Sequence, residues 1–117
     1  MTTTSSGSSI DITFDWEDLR LAGTLQVPAG PGPHPAVVMA QGSGPADRTS
    51  GGYFTHIKRS FLERGIAAFA FDKPGCGEST GDWRNYGLLG RASQLEMAIH
   101  AVGRHSAVDA SKIGVFG

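Results

Sequence analysis

Ile10, Ile12 and Phe14 alternate with polar residues, and Leu19, Leu21, Gly23 and Leu25 repeat the alternation until Pro28. A period of two marks strands with one buried face. With Asp15–Asp18 between them, the two runs predict a β-hairpin. Ala36–Ala40 and Ile66–Phe71 are unbroken apolar runs, the pattern of strands covered on both faces in a parallel sheet. Between them Phe54, Ile57, Phe61 and Leu62 fall at helical spacing, and Gly65 ends that helix. Leu88, Ala92, Leu95, Ile99 and Val102 predict a longer amphipathic helix finishing at Arg104 and His105. Ile113–Phe116 is the last apolar strand.

The expected order is therefore a hairpin followed by strand–helix–strand–helix–strand. Crossover helices between apolar strands imply right-handed βαβ units and a parallel sheet. Loops at the carboxyl ends of such strands carry function, here Gln41–Gly52 and Asp72–Asp82. Both are glycine-rich. Residues 1–9 are rich in Thr, Ser and Gly, without the basic cluster and apolar core of a signal peptide, and are expected to be a flexible tail.

Composition narrows the classes. The 117 residues allow one small domain. An 18% charged fraction with 39% apolar residues opposes intrinsic disorder. A net charge of -1 provides no field for nucleic acid or an anionic membrane, and neither is an expected partner. No apolar run reaches the roughly 18 residues of a membrane span. Cys76 is the single cysteine, which fits a reducing, cytoplasmic compartment. No cofactor or metal is expected, since no pair of histidines has ligand spacing beside a carboxylate or cysteine.

Five segments in order carry a resemblance: Leu21-Ala22-Gly23-Thr24-Leu25, Pro35–Met39, Gln41-Gly42-Ser43-Gly44-Pro45-Ala46-Asp47-Arg48, Phe69–Ser79 and Val108–Gly117. Together they resemble the α/β-hydrolase family, in the branch similar to dienelactone hydrolases and serine aminopeptidases. The resemblance implies an α/β fold, the amino-terminal part of an α/β-hydrolase sheet, truncated, with residues 10–117 an incomplete domain. It also implies a parent serine hydrolase that cleaves an ester, thioester or peptide bond of a small-molecule or peptide acyl substrate through an acyl-enzyme. Gly117 matches the first glycine of the nucleophile elbow G-x-S-x-G, with the acid and histidine later in the chain. Nucleophile, acid and histidine would then all lie past Gly117, and this chain alone would be inactive.

A second G-x-S-x-G does occur, at Gly77–Gly81, and would name Ser79 the nucleophile. The elbow needs its serine directly between a strand and the helix it opens. Ser79 follows Phe71 by eight residues, and Gly81-Asp82-Trp83 separate it from the next helix. The segment instead resembles the family's Asp-x-Arg-Gly-x-Gly-x-Ser loop, departing from it at Lys73-Pro74. Its glycines read as tight turns.

The resemblance further assigns one oxyanion-hole donor to the loop after an earlier strand. The backbone N–H of Ser43 is the first candidate and that of Gly44 the second, with Gln41 standing where many relatives have histidine. A glycine-rich turn without chemistry is the plainer alternative. A phosphate loop lacks its lysine signature. Asp47 and Arg48 read as a local loop-ordering pair. His34, His56, His100 and His105 read as solvent-facing loop or helix residues, and Cys76 as a loop thiol without a partnered base. Trp83 and Tyr86 either wall a substrate cleft or pack against the sheet. The competing class is a non-catalytic module that self-associates through an open, apolar last strand.

Overall fold

The computed structural model describes residues 7–117. Its elements run β1 (Ser8–Trp16), β2 (Leu19–Val27), β3 (His34–Met39), α1 (Tyr53–Glu63), β4 (Ala67–Phe71), α2 (Leu88–Gly103) and β5 (Val108–Phe116). The expected order holds. Most of the predicted tail, residues 1–6, lies outside the described residues, while Ser8 and Ser9 already pair with Val27 and Gln26 in the hairpin.

One five-stranded sheet has the order β1-β2-β4-β3-β5. The hairpin joins antiparallel to β4, whereas β3 runs parallel to both β4 and β5. The structure is therefore α/β, half antiparallel ribbon and half parallel sheet. Every residue of β4 is buried, because helices cover both of its faces. Ala68 and Ala70 point to the side of α1, with Val37, Met39 and Phe54. Their small side chains let the helix lie close. Ala67, Phe69 and Phe71 point to the other side, where Phe14, Leu21, Leu25 and the α2 residues Ala98 and Val102 complete the larger core. Gly23 on β2 faces the Phe69 ring, and a Cβ there would meet its Cζ at 2.5 Å.

Two elements differ from expectation. In α2, Leu88 is 76% exposed, and the buried residues are Gln94, Ala98, Ala101 and Val102. The helix rolls toward its small residues because these pack closest against the sheet; Leu95 and Ile99 flank that contact. β5 begins at Val108, five residues before Ile113. The partner of His34 is Val108 and that of Ala36 is Ile113, so extra residues of β5 bulge out between them. Asp109 closes this bulge by accepting from the Ser111 N–H (3.0 Å) and hydroxyl (2.7 Å). A polar bulge hides the strand from a reading by apolar runs.

Candidate functional site

The loops after β3 and β4 meet above the carboxyl ends of the strands, held by Asp72 and Lys73 at the start of the second loop and by Gln41 and Arg48 of the first. Asp72, 1% exposed, is the centre. Its carboxylate accepts from the Arg48 N–H (2.5 Å), Nε (3.2 Å) and Nη2 (2.7 Å), and from the Glu78 N–H (2.9 Å). Arg48 continues outward to Thr24 Oγ1 at 2.9 Å and Glu78 Oε1 at 2.6 Å. Its guanidinium pKa is raised, first by the bond to Asp72.

Gly77, at φ +51°, has its α-carbon against the Asp72 carboxylate, where any Cβ would collide. The expected Asp47–Arg48 pair is thus corrected. Arg48 turns to Asp72, and Asp47 Oδ1 instead accepts from Thr49 (Oγ1 2.6 Å, N 2.9 Å) and Ser50 N (3.2 Å). These bonds, led by the Thr49 hydroxyl, hold the Asp47 carboxyl below its ordinary value. Adjacent side chains in a chain bend point apart, and the buried carboxylate is the stronger competitor for the guanidinium.

Lys73 holds the first loop. Its Nζ donates to the carbonyls of Gly42 and Gly44, the latter at 2.6 Å, and its backbone N–H donates to Ala46 O at 3.0 Å. Burial, with the Arg91 guanidinium nearby, lowers the Lys73 pKa from the usual lysine value. Gln41 closes the base of the same loop by donating to Phe71 O (2.5 Å) and Asp47 O (3.1 Å). Gln41, just past the end of β3, thus bridges to the end of β4.

Ser43, one of the two predicted donors, has a trans peptide bond to Gly42. In a planar trans unit the N–H points opposite to the carbonyl. Since Gly42 O faces Lys73, the Ser43 N–H faces away, and it has no hydrogen-bond partner among the described residues. The N–H of Gly44, the second candidate, belongs to the Ser43–Gly44 unit and likewise has no hydrogen-bond partner among the described residues. Gly44 itself sits at φ +83°, a left-handed conformation that favours glycine.

Ser43 and Gly44 border a cavity of about 170 Å³ with Lys73, Trp83, Tyr86 and Arg91. Trp83 and Tyr86 both line this cavity, and Tyr86 also packs edge-on against Trp16 at 4.9 Å. A second cavity, about 220 Å³, lies between Gln41, Phe71 and the first turns of α2, at Leu88, Ala92 and Leu95. Gln94 borders both, and its buried Nε2 has no partner among the described residues.

Ser79 is 8% exposed and fully engaged. Its hydroxyl donates to Asp72 O at 2.7 Å and accepts from the Ala22 N–H at 2.9 Å. It staples the second loop to β2, beside Thr80, whose Oγ1 accepts from the Arg20 N–H at 2.9 Å. Of the histidines, His34 departs from expectation: it is buried at the head of β3, its N–H donating to Ala107 O. His56 and His100 are exposed, and His105 Nδ1 accepts from the Ala107 N–H at 3.1 Å. Cys76 is half-buried. Among the described residues, no helix is long and apolar enough to cross a membrane.

The roles of Lys73 and Gln41 escaped the sequence reading. A lysine directly after the buried apolar strand, at the head of a glycine-rich loop, was the available signal.

A family model described as esterase FrsA-like matches residues 4–117. The chain is 37% identical over 68 residues to the 2,6-dihydropseudooxynicotine hydrolase of Paenarthrobacter nicotinovorans, covering 53% of this chain and 17% of that protein. Among solved structures, the α/β hydrolase GrgF from Penicillium sp. sh18 is 28% identical with a TM-score of 0.75, over 92% of this chain and 36% of that one. The 2,6-dihydroxy-pseudo-oxynicotine hydrolase superposes with a TM-score of 0.73 at 24% identity, over 92% and 29%. The chain thus spans between 17% and 36% of the length of these relatives. With the strand order, the loop architecture and a family match over nearly all of its length, the chain belongs to the FrsA-like esterase family of α/β hydrolases.

Proposed function

We propose that these residues form the oxyanion side of a serine-esterase site. The observation that carries the reading is the Ser43 N–H, turned away from Lys73 and unpartnered at the border of a cavity above the strand ends. Attack on an ester carbonyl moves a charge onto its oxygen, and a fixed donor there is worth about 3 kcal/mol of barrier. Ser43 N–H supplies one such bond; the residue after the nucleophile supplies the second. Gly44 keeps the approach free of a side chain. In this reading the nucleophile lies two residues past Gly117 and forms an acyl-enzyme that water releases. The acid and histidine follow it. Esters are the substrate class that the family description favours; thioesters and peptides use the same oxyanion chemistry.

The test uses a chromogenic short-chain ester. No turnover is expected from the 117 residues alone, and turnover is expected when the reading frame continues past Gly117 as x-Ser-x-Gly. Ser43→Pro in the longer protein removes the N–H and should lower kcat about a hundredfold. Turnover by the 117 residues that Ser79→Ala abolishes would overturn the reading.

A second reading rests on the sheet edge. Among the described residues β5 pairs only with β3, and Val115 on it is 49% exposed. An unpaired strand edge of this kind suits self-association as a non-catalytic module.

A further inference from the structure

The chain from Ala40 to Asp47 contains no helix or strand, so its peptide orientations are set by what its carbonyls bind. Three alternate carbonyls, of Gly42, Gly44 and Ala46, all converge on one residue. Lys73 takes the first two on its ammonium and the third on its backbone N–H. We propose that Lys73 is the positioning residue of the oxyanion loop: by gripping Gly42 O and Gly44 O it fixes the Gly42–Ser43 peptide with the Ser43 N–H facing the substrate side. This rests on the oxyanion reading of Ser43 given above.

The geometry separates Lys73 from its neighbours in role. Lys73 is largely buried at 7% residue exposure and spends two of its three ammonium protons on these carbonyls. The Ser43 N–H lies in the same peptide plane and points from its opposite edge, away from the ammonium. Lys73 also borders the cavity, but with two of its protons on the loop carbonyls its assigned action is through the backbone. An ammonium suits the task because hydrogen bonds from a charged donor are roughly twice as strong as neutral ones. Its cost is desolvation, seen in the lowered pKa. That cost is offset by the bonds to Gly42 O and Gly44 O, carbonyls that have no other partner among the described residues. Gln41 anchors the base of the loop but binds none of these three carbonyls, so it cannot set the Ser43 peptide.

The test is nitrogen-15 relaxation on the 117-residue chain and on Lys73→Met and Lys73→Arg. The Ser43 order parameter should be about 0.85 in the unsubstituted chain and fall below about 0.6 in Lys73→Met, with β4 unchanged. Lys73→Arg should keep it near the unsubstituted value. A value below about 0.6 in the unsubstituted chain, or one still near 0.85 in Lys73→Met, overturns the proposal. Should Lys73→Met fail to fold, the ammonium itself decides. Its protons should exchange slowly enough to be observed with contacts to Gly42 and Gly44, and an ammonium in free exchange with water overturns the assignment.

In the longer protein Lys73→Met should lower kcat about a hundredfold at unchanged KM, with recovery by Lys73→Arg. A raised KM with kcat unchanged overturns the positioning role. Absence of turnover in the unsubstituted longer protein would instead defeat the functional reading and leave the relaxation result as it is.

Discussion

Arg48 and Asp72 lie 24 residues apart in sequence and share four hydrogen bonds: one from the Arg48 backbone N–H at 2.5 Å and three from its guanidinium, Nε to both carboxylate oxygens at 3.2 and 3.3 Å and Nη2 at 2.7 Å. One residue thus engages the buried carboxylate with main chain and side chain together. The pair ties the loop after β3 to the loop after β4. Removing the guanidinium leaves the Asp72 charge, whose side chain is 2% exposed, with backbone donors alone. Arg48→Met should therefore cost about 3 kcal/mol in urea unfolding. Asp11→Ala, which removes an exposed partner 3.8 Å from Arg48, should cost under about 1 kcal/mol. Equal costs would refute the central role of the buried pair.

Gly77 and Gly44 both adopt positive φ, at +51° and +83°. Only Gly77 has the Asp72 carboxylate where a Cβ would go; around Gly44 that space is open. Gly44→Ala should cost about 1–2 kcal/mol from the backbone alone. Gly77→Ala should exceed it clearly and release the Glu78 N–H from Asp72. Thermal midpoints of the two variants, compared directly, check the order.

Ser79→Ala strands two buried backbone groups, Ala22 N–H and Asp72 O. A loss of about 2 kcal/mol in stability is expected. In the longer protein its kcat on a chromogenic ester should match that of the unsubstituted enzyme at a temperature where both are folded. A loss of turnover at full folding would restore Ser79 as a nucleophile.

Asp47 has a carboxyl pKa lowered by bonds from Thr49 and Ser50. A depressed folded value favours the fold above the unfolded pKa of about 4, and the benefit disappears as pH falls through the folded value. Asp47→Ala should then lower stability at pH 6 by under about 1 kcal/mol, since the group is exposed. Near pH 2 the variant and the parent should converge. A difference that persists undiminished in acid would point to packing rather than charge.

Val115→Lys places a charge on the unpaired edge of β5. Sedimentation should show fewer dimers or aggregates than the unsubstituted chain at equal concentration. Unchanged association would move the contact elsewhere and remove the support for the edge-mediated reading.

The parts of this fold that burial dictates were legible in the sequence. Ala36–Ala40 and Ile66–Phe71 are apolar throughout because two helical layers cover them, and the alternation at Ile10, Ile12 and Phe14 reports the one-sided hairpin. What failed to show was set by polar contacts over long sequence separation. The strand character of Val108–Lys112 is masked by a bulge that Asp109 closes. The burial of Gln94 and the exposure of Leu88 depend on how α2 rolls on the sheet. At the site, Ser43 and Gly44 could be singled out from their loop, but the direction of the Ser43 N–H depends on Lys73, about 30 residues onward. A side chain's reach across a fold has no signature in local spacing.

Gly23 and Phe69 set a rule for the hairpin as a whole. The aromatic ring fills the one position on β2 that has no side chain. Sliding β2 by one residue along β4 would bring Ala22 or Thr24 against that ring and turn Leu21 and Leu25 to the wrong face. The pair is a key between the antiparallel ribbon and the parallel sheet, admitting a single alignment. Asp72 N–H donates to Ala22 O and Ser79 Oγ accepts from Ala22 N–H, so the same key indexes the site loops. An insertion of even one residue in β2 is a change to the geometry above the strand ends, although it lies a whole strand away from Ser43.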